Sequence, residues 1–313
     1  MFEIRQYSQE AAKEWNAFVV QSKNGTFLFD RNYMDYHGKR FADFSLMFYQ
    51  DGTLLAVLPA NRDGESLISH GGLTYGGLVM CDKLTAFETL VLFAELNDWL
   101  RCKGVKHVVY KPVPHIYHTI PSEEDLYALT RECGAQLTTR EISSTIAMSS
   151  RLKWCRDRRY GINKARNNNV EVVADSDDWE NFWQVLDENL MHNHGVRPIH
   201  SLDEIKLLKS RFPHNIVLYV AQKDGKTIGG TVLYVTRQVV HAQYISANKT
   251  GKHLRVIDAI YDQVLNEDFT DFKYFDFGKS TENHGHMLNE SLIYQKEGFG
   301  GRAICYDTYE WNV

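Results

Sequence analysis

Between Val239 and Arg302 the chain collects side chains that can move protons around a carbonyl carbon. His241 and Tyr244 fall on one predicted strand, Asp276 near the end of the next, Glu282, His284 and His286 in the loop beyond it, and Lys296 in the last turn of a predicted helix. Acyl transfer to an amine requires a base for the attacking nitrogen, donors for the developing oxyanion and an acid for the leaving group. Lys296, Asp276, Tyr244, Glu282 and His284 are the catalytic candidates for those tasks. Two of them also have plainer explanations: Asp276 as a cap for the loop after its strand, and Lys296 as a cation paired with the last carbonyls of its helix. His192 with His194, and His284 with His286, stand two residues apart as metal ligands can, but neither pair has a third ligand nearby, and a catalytic zinc site usually needs three. No metal is expected. No Gly-x-Ser-x-Gly elbow, P-loop or dinucleotide fingerprint occurs, so a hydrolase triad, a kinase and a dinucleotide-dependent oxidoreductase have no support.

These groups need a strand and a helix to hold them. Lys273-Tyr-Phe-Asp-Phe reads as a strand, and side-chain alternation puts Phe272, Tyr274 and Asp276 on one face and Lys273, Phe275 and Phe277 on the other. Met287 to Lys296 reads as a helix, with Gly298 as the residue that closes it in a left-handed conformation.

The elements around them occur twice. A helix with Trp15 and Phe18 on one face returns as Trp179 and Phe182, both 164 residues later; the hairpin signal Asp51-Gly52 returns as Asp224-Gly225 after 173; the strand opening at Lys106 returns at Lys273 after 167. Each copy reads helix, helix, three strands, helix, strand, helix, strand. We therefore expect an α/β (α+β) fold with mixed sheets in two tandem domains, residues 1–149 and 150–313, arisen by duplication. The joint, residues 151–166, holds seven basic residues against one acid, Asp157. Such a cluster concentrates anions, clamps the domains together, or is a solvated helix face. The stretch Gly71 to Gly77 is glycine-rich, and either marks a tight turn or brings His70 and Tyr75 to line a cleft between the halves.

Tyr274-Phe-Asp-Phe-Gly-Lys-Ser280, then Leu288-Asn289 and Tyr294-Gln-Lys296-Glu-Gly-Phe-Gly-Gly301, resemble the C-terminal signature of the FemABX-like branch of the GNAT acyltransferases. Arg158 to Ala165 is similar to the basic segment that opens that family's second domain. Gly25 to Phe29, Leu58 to Asn61 and Ser69 to Gly77 look like a bacterial subgroup. The resemblance implies tandem GNAT-like domains, phosphate contacts by Arg158, Arg159 and Lys164 beside the acceptor cleft, and a role for Lys296 in neutralising the acyl donor or its transition state. It also assigns the pyrophosphate loop of acyl-CoA to Asn248-Lys249-Thr-Gly251-Lys252-His253, where only the central glycine keeps the family's pattern and Lys249 and Lys252 supply positive charge.

The 313 residues are 43% hydrophobic with a net charge of −5, enough for a sizeable core and too acidic for general nucleic-acid coating. Five cysteines without paired spacing indicate a reducing, cytoplasmic setting, and no stretch reads as a signal peptide or membrane span. The expectation is a cytoplasmic N-acyltransferase using the cleft between or beside the two copies. It moves an acyl or aminoacyl group from acyl-CoA or aminoacyl-tRNA to an amine of a phosphorylated small molecule, such as a nucleotide-linked sugar or cell-envelope precursor. The alternative is a non-catalytic nucleotide- or peptide-binding protein on the same duplicated fold.

Overall fold

The computed structural model describes every residue except Lys39, and His194 by its backbone alone. The chain divides into two units. The first comprises residues 1–142, 283–286 and 305–313; the second comprises residues 143–282 and 287–304. The division falls at Ile142/Ser143 rather than at 149/150, and the last residues return to the first unit. The cause is that β9 (Gln136–Ala147) and β17 (Arg302–Asn312) each run through the boundary.

In the first unit β1 (Glu3–Gln6), β3 (Leu46–Gln50), β4 (Thr53–Leu58) and β7 (Val79–Met80) make one antiparallel sheet. β2 (Ala42–Asp43), β5 (Asn61–Asp63), β6 (Ser66–Ile68) and β8 (His107–Tyr110) lie in another, with the end of β17 against β8. The helices are α1 (Ala12–Gln21), α2 (Arg31–Met34), α3 (Ala86–Cys102) and α4 (Glu124–Arg131). The helix expected from Asn32 to Lys39 is only α2 and a 3-10 turn to His37, and its predicted last residue lies outside the described residues. Asp51 and Gly52 adopt positive φ, as the β3–β4 hairpin requires. The third strand expected at Ser66–Ser69 is divided: β7 pairs with β4, while β6 pairs in parallel with β8. Thr85 and Glu88 form a capping box that starts α3, whose Leu92, Phe93, Leu96 and Leu100 meet Tyr110 and Trp311 in the core.

The second unit opens with α5 (Arg156–Asn167), β10 (Glu171–Val173), α6 (Trp179–His194) and α7 (Leu202–Arg211). β11 (Ile216–Lys223), β12 (Lys226–Val235) and β13 (Val239–Ala247) follow, then α8 (Lys249–Leu254), α9 (Val256–Gln263) and β14 (Tyr274–Lys279). A small hairpin, β15 (Thr281–Glu282) with β16 (Met287–Leu288), leads to α10 (Glu290–Gly298). The strand order is β10-β11-β12-β13-β14-β9, and β13–β14 is its one parallel pair. The turn Asp224-Gly225 repeats the positive φ pair of Asp51-Gly52. The predicted helix from Leu254 to Glu267 is broken at Arg255, which takes φ 62° between α8 and α9. Arg255 is drawn there by the carboxylates of Asp157 and Asp258. Helix α10 ends at Gly298 as expected, but the left-handed residue is Gly300, φ 92°. Gly298 serves close packing instead, since a Cβ there would lie 3.2 Å from Cys155 Sγ and 3.3 Å from Arg158 Nε.

Helix α5 is locked to α9 through Arg158, which donates to Asp258 at 2.6 Å. Gly161 makes the room: a Cβ there would fall 1.8 Å from Asp258 Oδ2. Gly161→Ala should therefore expel Asp258, strand the buried Arg158 charge and lower stability by about 3–5 kcal/mol in denaturant unfolding. A loss below about 1 kcal/mol would show that the lock is not needed, since surface changes alone cost about half that.

Three buried groups of the first unit set its acid response. Burial pushes His70 down to about 3 and His118 down to about 4, from 6.5. Both therefore contribute stability that is complete above about pH 6.5 and lost as the unfolded chain alone takes up protons below it, at about 1.4 kcal/mol per pH unit for each group. Burial raises Asp125 from 3.8 to about 6, which has the opposite sign over that interval. Thermal melts should thus show stability falling between pH 6 and 4 with the net slope of roughly one histidine, and His118→Gln should flatten it.

Candidate active site

The site is where two neighbouring strands part. β13 and β14 are paired only from Val239–Tyr274 to His241–Asp276. Beyond that point β13 stays with β12 as far as Ala247, while β14 slips its register against β9 between Asp276 and Lys279. Gly278 turns β14 away with φ 78°, and a Cβ on it would lie 3.3 Å from His241 Cε1. The last paired residues, His241 and Asp276, therefore face each other at the mouth of a wedge.

Asp276 is fully buried. Its Oδ2 accepts from His241 Nδ1 at 2.8 Å, and its Oδ1 accepts from Ser143 Oγ at 2.5 Å and Thr145 Oγ1 at 2.9 Å. A carboxylate at Nδ1 fixes the proton there and leaves Nε2 as the basic nitrogen. A base oriented by a carboxylate is the arrangement that takes a proton from a nucleophile in many acyl-transfer sites. Alternation holds as expected: Phe275 and Phe277 point the other way, into an aromatic cluster with Tyr261 and Phe299.

Tyr244 reaches His241's face by a β-bulge. Leu233 pairs with Ala242 but Val232 pairs with Tyr244, so Gln243 is the extra residue. Ala242 and Ala247 face the hydrophobic core, while Tyr244 meets Trp183 on α6 and Ser246 donates to Val185 O on the same helix. The Tyr244 hydroxyl lies 2.6 Å from His200 Nδ1 and accepts from the His200 amide at 3.3 Å. Burial pushes it up to about 12, so it is a proton donor at neutral pH.

Lys296 is buried in the last turn of α10, and its ammonium donates to the carbonyls of Gly278 and Lys279, both at 2.8 Å. These are carbonyls of β14 where it has left β13, not the last carbonyls of the lysine's own helix. Burial lowers it to about 8, against the opposing pull of Asp276. Asn289 caps α10 by accepting from the Leu292 amide and so sets the lysine's position.

Other expected residues lie elsewhere. Glu282 is exposed and accepts from Asn289 Nδ2 at 2.7 Å; His284 is exposed at a turn, φ 52°, that rests on Arg140 through Gly285. Neither touches the His241–Asp276 pair, because the hairpin that carries them turns out to solvent. Arg158, expected on phosphate, is turned inward to Asp258 and Asp157 and over the Phe299 ring, since α5 needs a countercharge for the buried Asp258. Arg159 is exposed and Lys164 half-buried on the same helix.

The stretch Asn248–His253 lies in the short helix α8, with Asn248 as its N-cap. Asn248 Oδ1 accepts the Gly251 amide at 2.9 Å, and a Cβ on Gly251 would meet Ile228 O at 2.2 Å. That glycine thus serves close approach to β12, and its amide is already bonded. Lys252 donates to Asn189 at 2.5 Å, leaving Lys249 exposed. His70 and Tyr75, expected along a cleft, are interior groups of the first unit. Tyr75 donates to Thr26 and stacks near Tyr117, and Lys111 draws the loop inward through the carbonyls of His70 and Leu73.

His192 is exposed, and the side chain of His194 lies outside the described residues. Among the described residues no group of three or more His, Cys, Asp or Glu could hold a metal ion, and no helix is long and apolar enough to cross a membrane. Sequence reasoning missed Ser143, Thr145 and His200. The run of three hydroxyls Ser143-Ser-Thr145 at a strand end, of which alternation puts the first and third on one face, was the available signal for the first two.

The family described as "Acetyltransferase (GNAT) domain" matches residues 149–285, which contain β13, β14 and the dyad. No curated protein matches this chain. Among solved structures, FemX is similar over 99% of this chain and 97% of its own, with TM-score 0.70 and 10% identity. The C-terminal domain of a putative lysylphosphatidylglycerol synthetase from Agrobacterium fabrum is similar over 97% and 92%, TM-score 0.63, 12% identity. A tandem GNAT protein from the clavulanic acid biosynthesis pathway is similar over 100% and 98%, TM-score 0.51, 9% identity. At these identities the likeness is one of fold. Residues 149–285, dyad included, thus match a GNAT acetyltransferase domain, and the chain as a whole shares its fold with FemX and with a tandem GNAT protein.

Proposed function

We propose that this protein transfers an acyl or aminoacyl group to an amine, with His241 as the general base. The observation that carries the reading is the His241–Asp276 pair at the parting of β13 and β14, with Nε2 left free to act. The amine attacks the donor's carbonyl carbon and gives its proton to Nε2. The tetrahedral oxyanion then collapses, the bond from carbon to the leaving sulfur or oxygen breaks, and the leaving atom takes a proton from the Tyr244 hydroxyl. Lys296 contributes a fixed positive charge at the strand end. Glu282, exposed on the neighbouring hairpin, is left as a contact to the bound substrate's outer part.

The donor is acyl-CoA or aminoacyl-tRNA. The capped Gly251 amide weakens the case for a pyrophosphate cradle there, with Lys249 and Lys252 left as long-range anion contacts. The acceptor is a phosphorylated or nucleotide-linked amine of the cell-envelope precursor type, met by Arg159 and Lys164. A neighbour in fold bears the name of a lysylphosphatidylglycerol synthetase, which describes an aminoacyl group on a phosphate-bearing acceptor and is in keeping with this class. The work is expected in the cytoplasm, where such donors occur.

Two measurements test this. Purified protein offered a panel of acyl-CoAs and aminoacyl-tRNAs with amino-sugar nucleotides should form an amide, and His241→Gln should lower kcat about 10²- to 10⁴-fold with KM little changed. Full turnover in that variant would remove the dyad from the reaction; no turnover with any donor, together with a ligand-raised Tm, would make this a binding protein. In the wild type, activity should decline as pH rises through about 8, where Lys296 loses its proton. The residual activity of Lys296→Met should lack that limb; a limb that persists would assign it to another group.

A further inference from the structure

The dyad has an outer support that the acyl-transfer reading does not use. Asp276 is fully buried, and a buried carboxylate needs donors on both oxygens. Its Oδ2 has His241. Its Oδ1 has two hydroxyls, Ser143 Oγ at 2.5 Å and Thr145 Oγ1 at 2.9 Å, both from β9, where Thr145 pairs directly with Asp276 in the ladder. Ser143 is fully buried and Thr145 is 7% exposed. Between them, Ser144 points to the other face of the strand, and its buried hydroxyl has no hydrogen-bond partner. Alternation therefore aims two hydroxyls at the carboxylate and one away from it.

We propose that Ser143 and Thr145 are positioning residues, a two-hydroxyl clamp that fixes the carboxylate plane of Asp276 and through it the Nδ1–H tautomer and ring orientation of His241. Each hydroxyl has one proton, and both protons go to Oδ1, so the carboxylate cannot rotate its second oxygen away from His241 without losing two buried hydrogen bonds. Removing both hydroxyls takes two of the three hydrogen bonds described above from the carboxylate and loosens its hold on Nδ1. The imidazole can then hold its proton on Nε2, the nitrogen that must be free to receive one.

The proposal rests on the acyl-transfer reading only for its activity arm. Imidazole nitrogen spectra of histidine-labelled protein, with His241 identified by its loss in His241→Gln, report the tautomer with or without turnover. Ser143→Ala with Thr145→Val should mix the two tautomers and lower kcat about 10- to 100-fold, as loss of the group that orients an imidazole does elsewhere. KM should change by about 2-fold or less, because substrate contacts remain. Ser143→Thr with Thr145→Ser keeps both hydroxyls and should restore the Nδ1–H signal. Ser144→Ala should leave the spectrum and rate as they are.

If the double variant does not fold, Ser143→Ala alone decides by the same spectrum. A double or single variant with an unchanged Nδ1–H signal and unchanged kcat overturns the clamp. Loss of the signal in Ser144→Ala to the same extent also overturns it, by showing a general disturbance of β9. Absence of acyl transfer in the wild type would count against the proposed function, while the spectra would still decide the clamp.

Discussion

A carboxylate with no exposure to water is the constraint on which the second unit is arranged. Leaving Asp276 ionised in the interior without partners would cost several kcal/mol, so the fold must deliver donors to it from more than one direction. They come from two neighbouring strands, β13 with His241 and β9 with Ser143 and Thr145. Only a strand with neighbours on both sides can be supplied in this way, and β14 lies between β13 and β9. The parallel pairing of β13 with β14 then does the rest: it aligns His241 with Asp276 as the last rung before the strands diverge, which leaves the imidazole's second nitrogen beside the gap.

The first unit shows what the same plan does when the gap is filled. There β6 and β8 are the parallel pair, ending at Ile68 and Val109. The contact is then prolonged, because the Ser69 amide donates to Val109 O and the Ser69 hydroxyl accepts the Lys111 amide at 2.7 Å. The Lys111 ammonium takes the carbonyls of His70 and Leu73, and Gly76 donates to Lys111 O, so the glycine-rich loop is stitched across the strand ends. In the second unit a lysine also takes two carbonyls, but both belong to β14 and come after it has left its partner. One lysine stitches a loop over the end of the pair; the other satisfies the edge of a pair that stays open.

Much of this was legible in the sequence wherever the signal is local. The hairpin turns, the Phe275/Phe277 face and the duplicated order of elements follow from period and turn chemistry, which act over a few residues. Arg158 and Asp258 stand 100 residues apart and Ser143 and Asp276 133, and no periodicity announces such a meeting. The basic joint therefore looked like a phosphate site although its central arginine is spent on a buried acid. Gly298 was read by its conformational freedom and Gly251 as the central glycine of a pyrophosphate loop, whereas both are glycine because another group comes within a Cβ's reach. His241 was noted on its strand but left out of the five catalytic candidates; its partner singles it out, and partnership is a tertiary fact.

The Arg158 lock bears on the site by a route that is mechanical. Arg158 lies over Phe299, and the Cys155 amide donates to Gly298 O at 2.9 Å, so the start of α5 is held against the end of α10. Lys296 is two residues before Gly298, and the Phe299 ring stacks on Phe277 directly under the parting of the strands. Charge in this region is thus used twice. Arg158, Asp258, Arg255 and Asp157 neutralise one another at the α5–α9 contact, where salt and substrate have little access to the buried pair, while Lys296 and Asp276 are left with fixed hydrogen bonds. The positive joint therefore has a mechanical role as well: it helps keep the lysine-bearing helix in register with the strand whose carbonyls the lysine holds.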